Sequence, residues 1–350
     1  MSLRPTLRSK ALAAAAAVSA AALTLAACAP STDDGGAQAE APAGADTTDV
    51  TLMLNWYPYG EHAPFYYGLE EGIFADHGIN LKIEAGQGST KTAQAVGADQ
   101  VQFGWADTPA VLANIDKGVK IRSLGVFLQT TPSSVQVFSD SGIKEPADLK
   151  GKTIAVSAGD APTTTFPLYL EAAGVPEDAV TQQNLDPAGK ISAMLTDKVD
   201  GLIGFAHDQG PTIASKSGRD VTYLRYSDVG LSFYSNGLVA SENTISSDPD
   251  LVKEMVAATS EAFAAAAEDP DAAVASMEGK DPQMPAADVL TEQWKQTIEL
   301  LHTDATEGKA PGVNDPADWA NTLDVLSSSG LIAEGTTADD YFDDSFAPAN

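Results

Sequence analysis

The chain has 350 residues, 43% of them hydrophobic, and a formal net charge of -29. That length is enough for two ordinary domains with a sizeable core, and the charge repels nucleic acid and anionic membrane surfaces as direct partners. The single cysteine, Cys28, excludes a disulfide framework within the monomer and any zinc or iron–sulfur site built on several thiolates.

Residues 1–27 read as a secretory signal. Arg4, Arg8 and Lys10 form a basic start, and residues 11–27 are an uncharged apolar run too short for a comfortable membrane span. The run ends in Leu25, Ala26, Ala27 and Cys28, which resembles the bacterial lipoprotein box, in which the cysteine is acylated and becomes the first mature residue. Residues 28–48 are small and polar and read as a flexible tether with a span of roughly 25 Å. Acyl chains on Cys28 would hold the protein at a membrane while its globular part stays free.

From residue 49 onward, short apolar strands alternate with helical patterns, which predicts an α/β fold. Strands are expected at 50–54, 81–84, 101–104, 121–127 and 134–138, with helices at 64–71, 90–96 and 109–117 between them. The cadence then repeats, with strands at 152–156, 199–205 and 221–224 and helices at 164–173, 190–196 and 211–217. A strand at 236–240 follows. After it Asp248 caps a helix with Pro249 at its first position. Leu251, Val252, Met255, Val256, Phe263 and Ala266 give that helix an apolar face at 3.6 spacing. Further helices are expected at 286–302 and 316–328, and residues 336–350 read as a loose acidic tail.

Polar and aromatic groups gather just after the predicted strands, where α/β sheets bind ligands. Asn55, Trp56, Tyr57 and His62 follow the first strand. An aromatic face with a few fixed polar groups suits a planar heteroaromatic ligand, and the same residues also suit plain packing of the turn. Residues 86–90 form a Gly-rich turn holding Ser89, either an anion or polar-edge site or only a turn. Trp105 and Asp107 follow the next strand. Asp107 stands as an acceptor for a ligand amine or as the cap of the helix at 109. In the second half Asp160 and Thr163 lie on the loop 157–165, and His207 and Asp208 follow the strand ending near 205, either closing on a ligand or forming a solvated loop. Asn236 sits at the start of the last strand.

Several stretches carry a family resemblance. Asn55, Trp56 and Pro58, followed by His62, Ala63, Pro64, Phe65, Tyr66, Gly68, Gly72, Ile73, Phe74, Gly78 and Ile79, resemble the opening of pyrimidine-precursor binders. Residues 147–156 resemble the start of a second lobe, and 200–205, 235–241, 315–319 and 330–332 match further points. Over about residues 49–333 the chain thus resembles the class II periplasmic binding proteins, in the branch with nitrate, sulfonate and taurine binders and thiamine-pyrimidine or riboflavin binders. The resemblance implies a two-lobed α/β fold with two crossover segments. The first lobe would hold 49–137 plus 237–335, and the second 138–236.

It also implies an extracytoplasmic solute-binding lipoprotein, monomeric and without a cofactor, that serves an ABC permease and ATPase. A thiamine-precursor pyrimidine or related heteroaromatic is the expected ligand, with sulfonate, nitrate, taurine or riboflavin as alternatives. In sulfonate and nitrate binders the loop matching 157–165 supplies hydroxyls and amides to an anion. Here Asp160 would oppose an anion, which favours a neutral or amine-bearing ligand. A related branch includes the thiamine-pyrimidine synthase, but its cofactor lysine falls at Ala106 and its sacrificial histidine at Ala110. Its cysteine cluster has no counterpart. His62, His77, His207 and His302 show no metal-binding spacing, and neither a nucleophile elbow nor a P-loop pattern is present. The expectation is a binding protein, not an enzyme. A binder that signals to a membrane receptor would read the same way.

Overall fold

The computed structural model describes residues 47–348. Their ten strands form two five-stranded sheets. In the first, β1 (Thr48–Met53) runs parallel to both of its neighbours, β2 (Ile79–Glu84) and β3 (Phe103–Asp107). The strand β10 (Asn236–Ser241) pairs antiparallel with β3 on one side and with β4 (Ile121–Val126) on the other. In the second sheet, β6 (Thr153–Val156) is parallel to β7 (Thr181–Asn184) and β8 (Gly201–Phe205). There β5 (Ser133–Phe138) pairs antiparallel with β8 and with β9 (Val221–Arg225).

Both sheets follow one plan: four strands point one way, and the fourth place in the order is taken by a strand that points the other way. That reversed strand is in each case the one reached from the other sheet. Residues 127–132 lead from β4 into β5, and residues 226–235 lead from β9 into β10. The two passages run side by side. The N–H groups of Phe127 and Leu128 donate to the Asn236 carbonyl at 3.0 and 2.9 Å, and that of Ser235 donates to the Leu128 carbonyl at 2.9 Å.

The first passage precedes β5, whereas the expected boundary at 137/138 falls at its end. All six residues of β5 are buried. A strand covered on both faces carries no alternation to show which sheet it joins.

The first lobe packs around an aromatic group in which Phe263 lies 5.0–5.5 Å from Phe65, Trp105 and Phe127. Phe263 comes from the helix Pro249–Glu268, whose first N–H groups are capped by Asp248 accepting from Leu251 N–H at 3.1 Å. Val252, Met255, Val256 and Ala266 bury the rest of its inner face. In the second lobe Phe138, Ala155, Ile191, Met194, Leu202 and Ile213 form a core of their own.

Several elements differ from expectation. The strand β3 lies two residues later than 101–104, so Trp105 and Asp107 belong to it. The helix expected at 211–217 begins at Ala206 and carries Pro211 inside it, which puts His207 and Asp208 on its first turn and not in a solvated loop. The helix expected at 164–173 is broken at Thr165 into Ala161–Thr164 and Phe166–Ala172. The strand β7 was not expected at all: its four residues are exposed and polar, so no hydrophobic pattern marks it. The helix expected at 286–302 stops at Ile298.

The acidic stretch after residue 335 is docked. Tyr341 is buried and its hydroxyl donates to Asp116 Oδ1 at 2.7 Å. Phe342 stacks on Trp319 with ring centroids 5.1 Å apart and bridges to Ser123 of β4. Two aromatic rings bury enough apolar surface to hold a short segment despite its charge. The expected leader, the Cys28 anchor and the tether up to residue 46 lie outside the described residues. Among the described residues no helix is long and apolar enough to cross a membrane.

Candidate functional site

The turns that follow β1, β2, β6 and β8 meet between the lobes. Asn55, Trp56, Tyr59, Gly88 and Ser89 of the first lobe line a cavity of about 10 Å³. Asp160, Ala161, Phe205, Asp208 and Gln209 close it from the second lobe. That volume holds about one water molecule, so a larger solute enters only as the lobes part. The lobes meet backbone to backbone at Gly88, where φ is 115° and an added Cβ would lie 2.6 Å from the Gly159 carbonyl oxygen of the opposite lobe.

Trp56 is buried, and the Lys190 ammonium from the second lobe sits 5.4 Å from its ring centroid. Lys190 has no exposed surface; it donates to Asp160 Oδ2 at 2.6 Å and to the Ile203 carbonyl at 2.8 Å. The negative charge of Asp160 is therefore neutralised within its own lobe, which removes the expected repulsion of an anion by a free Asp160. The same pairing leaves Lys190 with no charge to offer.

Asn55 is fixed from behind. Its Oδ1 accepts from His62 Nε2 at 2.8 Å, while Tyr59 N–H donates to His62 Nδ1 at 3.3 Å. His62 is fully buried, and burial lowers its pKa to about 4, so it is a neutral ring that positions Asn55 and does not line the cavity. Tyr57 is not in the cavity lining; it borders a groove shared with Ile191, Leu195 and Met284, and its hydroxyl lies beside the wall residues Trp56 and Gln209. Thr163 lies off the cavity, with its Oγ1 3.5 Å from Ser157 N–H.

Asp107 does not line the cavity; it stands at the N-cap position of the helix Thr108–Asp116, but its side chain makes no capping hydrogen bond. Its Oδ1 accepts from the Ser235 hydroxyl at 2.7 Å, and its N–H donates to Ser89 Oγ at 3.0 Å. Burial pushes its carboxyl up to about 8. Asp208 does reach the cavity, and burial likewise pushes it up to about 8, with Lys190 pulling the other way. Gln209 Nε2 donates to Asp208 Oδ2. Gln293 Nε2, from the first lobe, donates to the Asp208 carbonyl at 2.8 Å.

Trp105, His207 and Asn236 do not line the cavity, because all three converge on Glu61. Trp105 Nε1 and Asn236 Nδ2 each donate to Glu61 Oε1 at 2.5 Å. The Tyr59 hydroxyl donates to Oε2 at 2.5 Å and His207 Nε2 to Oε2 at 2.7 Å. Burial works against the Glu61 charge, but the hydrogen bonds from His207 and Tyr59 and the two neighbouring imidazoles together outweigh it and bring its pKa to about 2. Glu61, Lys190 and Gln293 were not among the residues singled out from the sequence. The one local signal is Lys190, a lone charge beside Ile191 and Met194 on the inner face of the helix Pro187–Leu195.

Four buried polar atoms here have no partner: Trp56 Nε1, Gln209 Oε1, His207 Nδ1 and Asn236 Oδ1. The first two belong to residues of the cavity wall. Buried polar groups are rarely left unpaired, and the Tyr57 hydroxyl lies within reach of both the Trp56 and the Gln209 side chains.

A family model described as NMT1/THI5 like matches residues 60–273. The chain is 25% identical over 305 residues to the riboflavin-binding protein RibY of Chloroflexus aurantiacus, spanning 85% of this chain and 86% of that one. It is 21% identical over 298 residues to the formylaminopyrimidine-binding protein of Halalkalibacterium halodurans, spanning 84% and 89%. It is 27% identical over 250 residues to 4-amino-5-hydroxymethyl-2-methylpyrimidine phosphate synthase of Legionella pneumophila, spanning 67% and 74%. Among solved structures, the periplasmic aliphatic sulphonate binding protein SsuA of Escherichia coli has a TM-score of 0.64 at 15% identity, covering 86% of this chain and 93% of that one. The two-lobed architecture is thus that of periplasmic binding proteins, and the chain belongs to the NMT1/THI5-like family.

Proposed function

We propose that the protein is an extracytoplasmic solute-binding protein that takes an uncharged, planar heteroaromatic compound between its lobes and delivers it to an ABC importer. The observation that carries this reading is the pair of groups on the cavity wall without a well-aligned partner, Trp56 Nε1–H and Gln209 Oε1, one from each lobe and both beside the Tyr57 hydroxyl. A flat ligand with one acceptor and one donor on its edge satisfies both and holds the lobes together.

Charge argues for a neutral ligand. Lys190 is paired with Asp160, and burial keeps the Asp107 and Asp208 carboxyls largely protonated at pH 7. A sulfonate or nitrate would enter a dry site with no free counter-charge, at a high desolvation cost. A thiamine-precursor pyrimidine fits these demands, and a riboflavin-type ring is the alternative. The relatives named for formylaminopyrimidine and riboflavin binding support this choice of class. Closure is a rotation about the paired passages at 127–132 and 226–235.

A binding role suits the chain better than a synthase role. Ala106 and Ala110 stand where the synthase resemblance calls for lysine and histidine, and the buried Lys190 is held by Asp160. Cys28 would carry the lipid that keeps the binder near its permease.

The test is a thermal-shift panel of pyrimidines, flavins, sulfonates, nitrate and amino acids on the purified protein. A true ligand at a hundred times its Kd stabilises the fold by about 2.7 kcal/mol. Stabilisation by a sulfonate or nitrate, with none by pyrimidines or flavins, would overturn the ligand class.

A further inference from the structure

The Glu61 carboxylate is fully buried, and its four lone-pair positions are filled by two donors on each oxygen. Three of those donors belong to the first lobe, Trp105 and Asn236 on its sheet and Tyr59 in the turn after β1, and none is charged. They fix the carboxylate in place and leave one position on Oε2. The fourth donor, His207, is carried by the second lobe on the first turn of the helix Ala206–Ser217. Its ring is steadied by Phe205, stacked with centroids 5.6 Å apart. A carboxylate can only accept, so Nε2 bears the proton that faces Glu61.

We propose that Glu61 and His207 form a latch between the lobes, a positioning pair that holds the closed form through the protein's own groups and so sets how much of any ligand's binding energy closure consumes. A second contact lies alongside. Gln293 takes the Gly60 N–H at 2.9 Å in the first lobe and donates to the Asp208 carbonyl at 2.8 Å and to Thr212 Oγ1 at 3.2 Å in the second. Opening the lobes exposes one side of Glu61 to water and breaks a charge-assisted hydrogen bond, the stronger kind. Since apparent affinity scales with the fraction of molecules able to close, loss of the latch weakens every ligand by the same factor. The inference deepens the ligand-capture reading, because it concerns closure of the same cleft, but it can be tested with no ligand present.

The experiment measures the distance between spin labels at the exposed Glu70→Cys and Lys198→Cys, one on each lobe, in a ligand-free Cys28→Ser background. The ratio of closed to open molecules should fall roughly tenfold or more in His207→Phe, which keeps the ring stack but loses the donor. His207→Gln, which keeps an N–H donor, should restore much of it. Glu61→Gln should open the protein as well, and the double variant should open it no further than either single change. An unchanged distance distribution in a folded His207→Phe would overturn the latch, as would strictly additive effects. Because His207 variants leave the first-lobe core untouched, they decide the matter even where Glu61→Gln does not fold. The outcome is independent of the thermal-shift panel, so the latch and the ligand class can fail separately.

Discussion

Asp107 and Asp208 are buried carboxyls that make no salt bridge, and burial holds both near a pKa of about 8. Between about pH 4 and pH 8 the folded protein therefore keeps protons that the unfolded chain has released. Stability falls wherever the native state binds more protons than the unfolded one as pH rises, so each group lowers stability across that window and adds no further change above it. Asp107→Asn should be more stable than the parent at pH 8 by at least about 1 kcal/mol, with the gap closing at pH 4. Urea midpoints at pH 4, 6 and 8 measure it, and a gap independent of pH would show that Asp107 is ionised in the fold. The cavity wall was partly legible at this scale. Asn55, Trp56, Ser89, Asp160 and Asp208 stand directly after strands or in the turns that follow, and proximity to a strand end is visible in sequence. Glu61 was not legible, because its donors Trp105, His207 and Asn236 lie 44, 146 and 175 residues away. A carboxylate in a short turn reads as solvated until those residues are folded onto it.

At the scale of elements, periodicity and caps carried most of the reading. The helix Pro249–Glu268 announces itself through Asp248, Pro249 and an apolar face at helical spacing, and β1, β2, β4, β6 and β9 are short β-rich runs. Elements without such signals went unseen: β7 is polar along its whole length, and the last aromatic residues, Tyr341 and Phe342, are hidden among acids. The turn at Gly88 makes the element-level prediction. Its φ of 115° and the 2.6 Å approach to the Gly159 carbonyl oxygen leave no room for a methyl group. Gly88→Ala should fold with a modestly lowered melting temperature. It should also bind a compound from the stabilising set at least about tenfold more weakly, because the jaws meet before they shut. Calorimetric titration checks this, and equal affinity would mean that binding does not require this backbone contact.

At the scale of the whole molecule, the alternation of strands and helices implied an α/β fold and the family resemblance implied two lobes, while the strand order was not foreseen and the point of passage between the sheets was not visible because β5 is buried on both sides. The proposed lipid on Cys28 makes the prediction that belongs here. Cys28→Ser should move the protein from the membrane fraction of the producing cell to the soluble extracytoplasmic fraction without changing its melting temperature. Retention on the membrane would rule out the cysteine as the attachment point.

The tail that docks on β4 has a practical corollary. The described chain enters at Thr48 in β1 and leaves beside Ser123 of β4, so both ends belong to one jaw. Among the described residues, the other jaw is an insertion joined through the two passages at 127–132 and 226–235. A fluorescent protein joined at either edge of the described residues would thus ride on the first jaw, whereas one inserted at the exposed turn around Ser141 and Gly142 would ride on the part that swings.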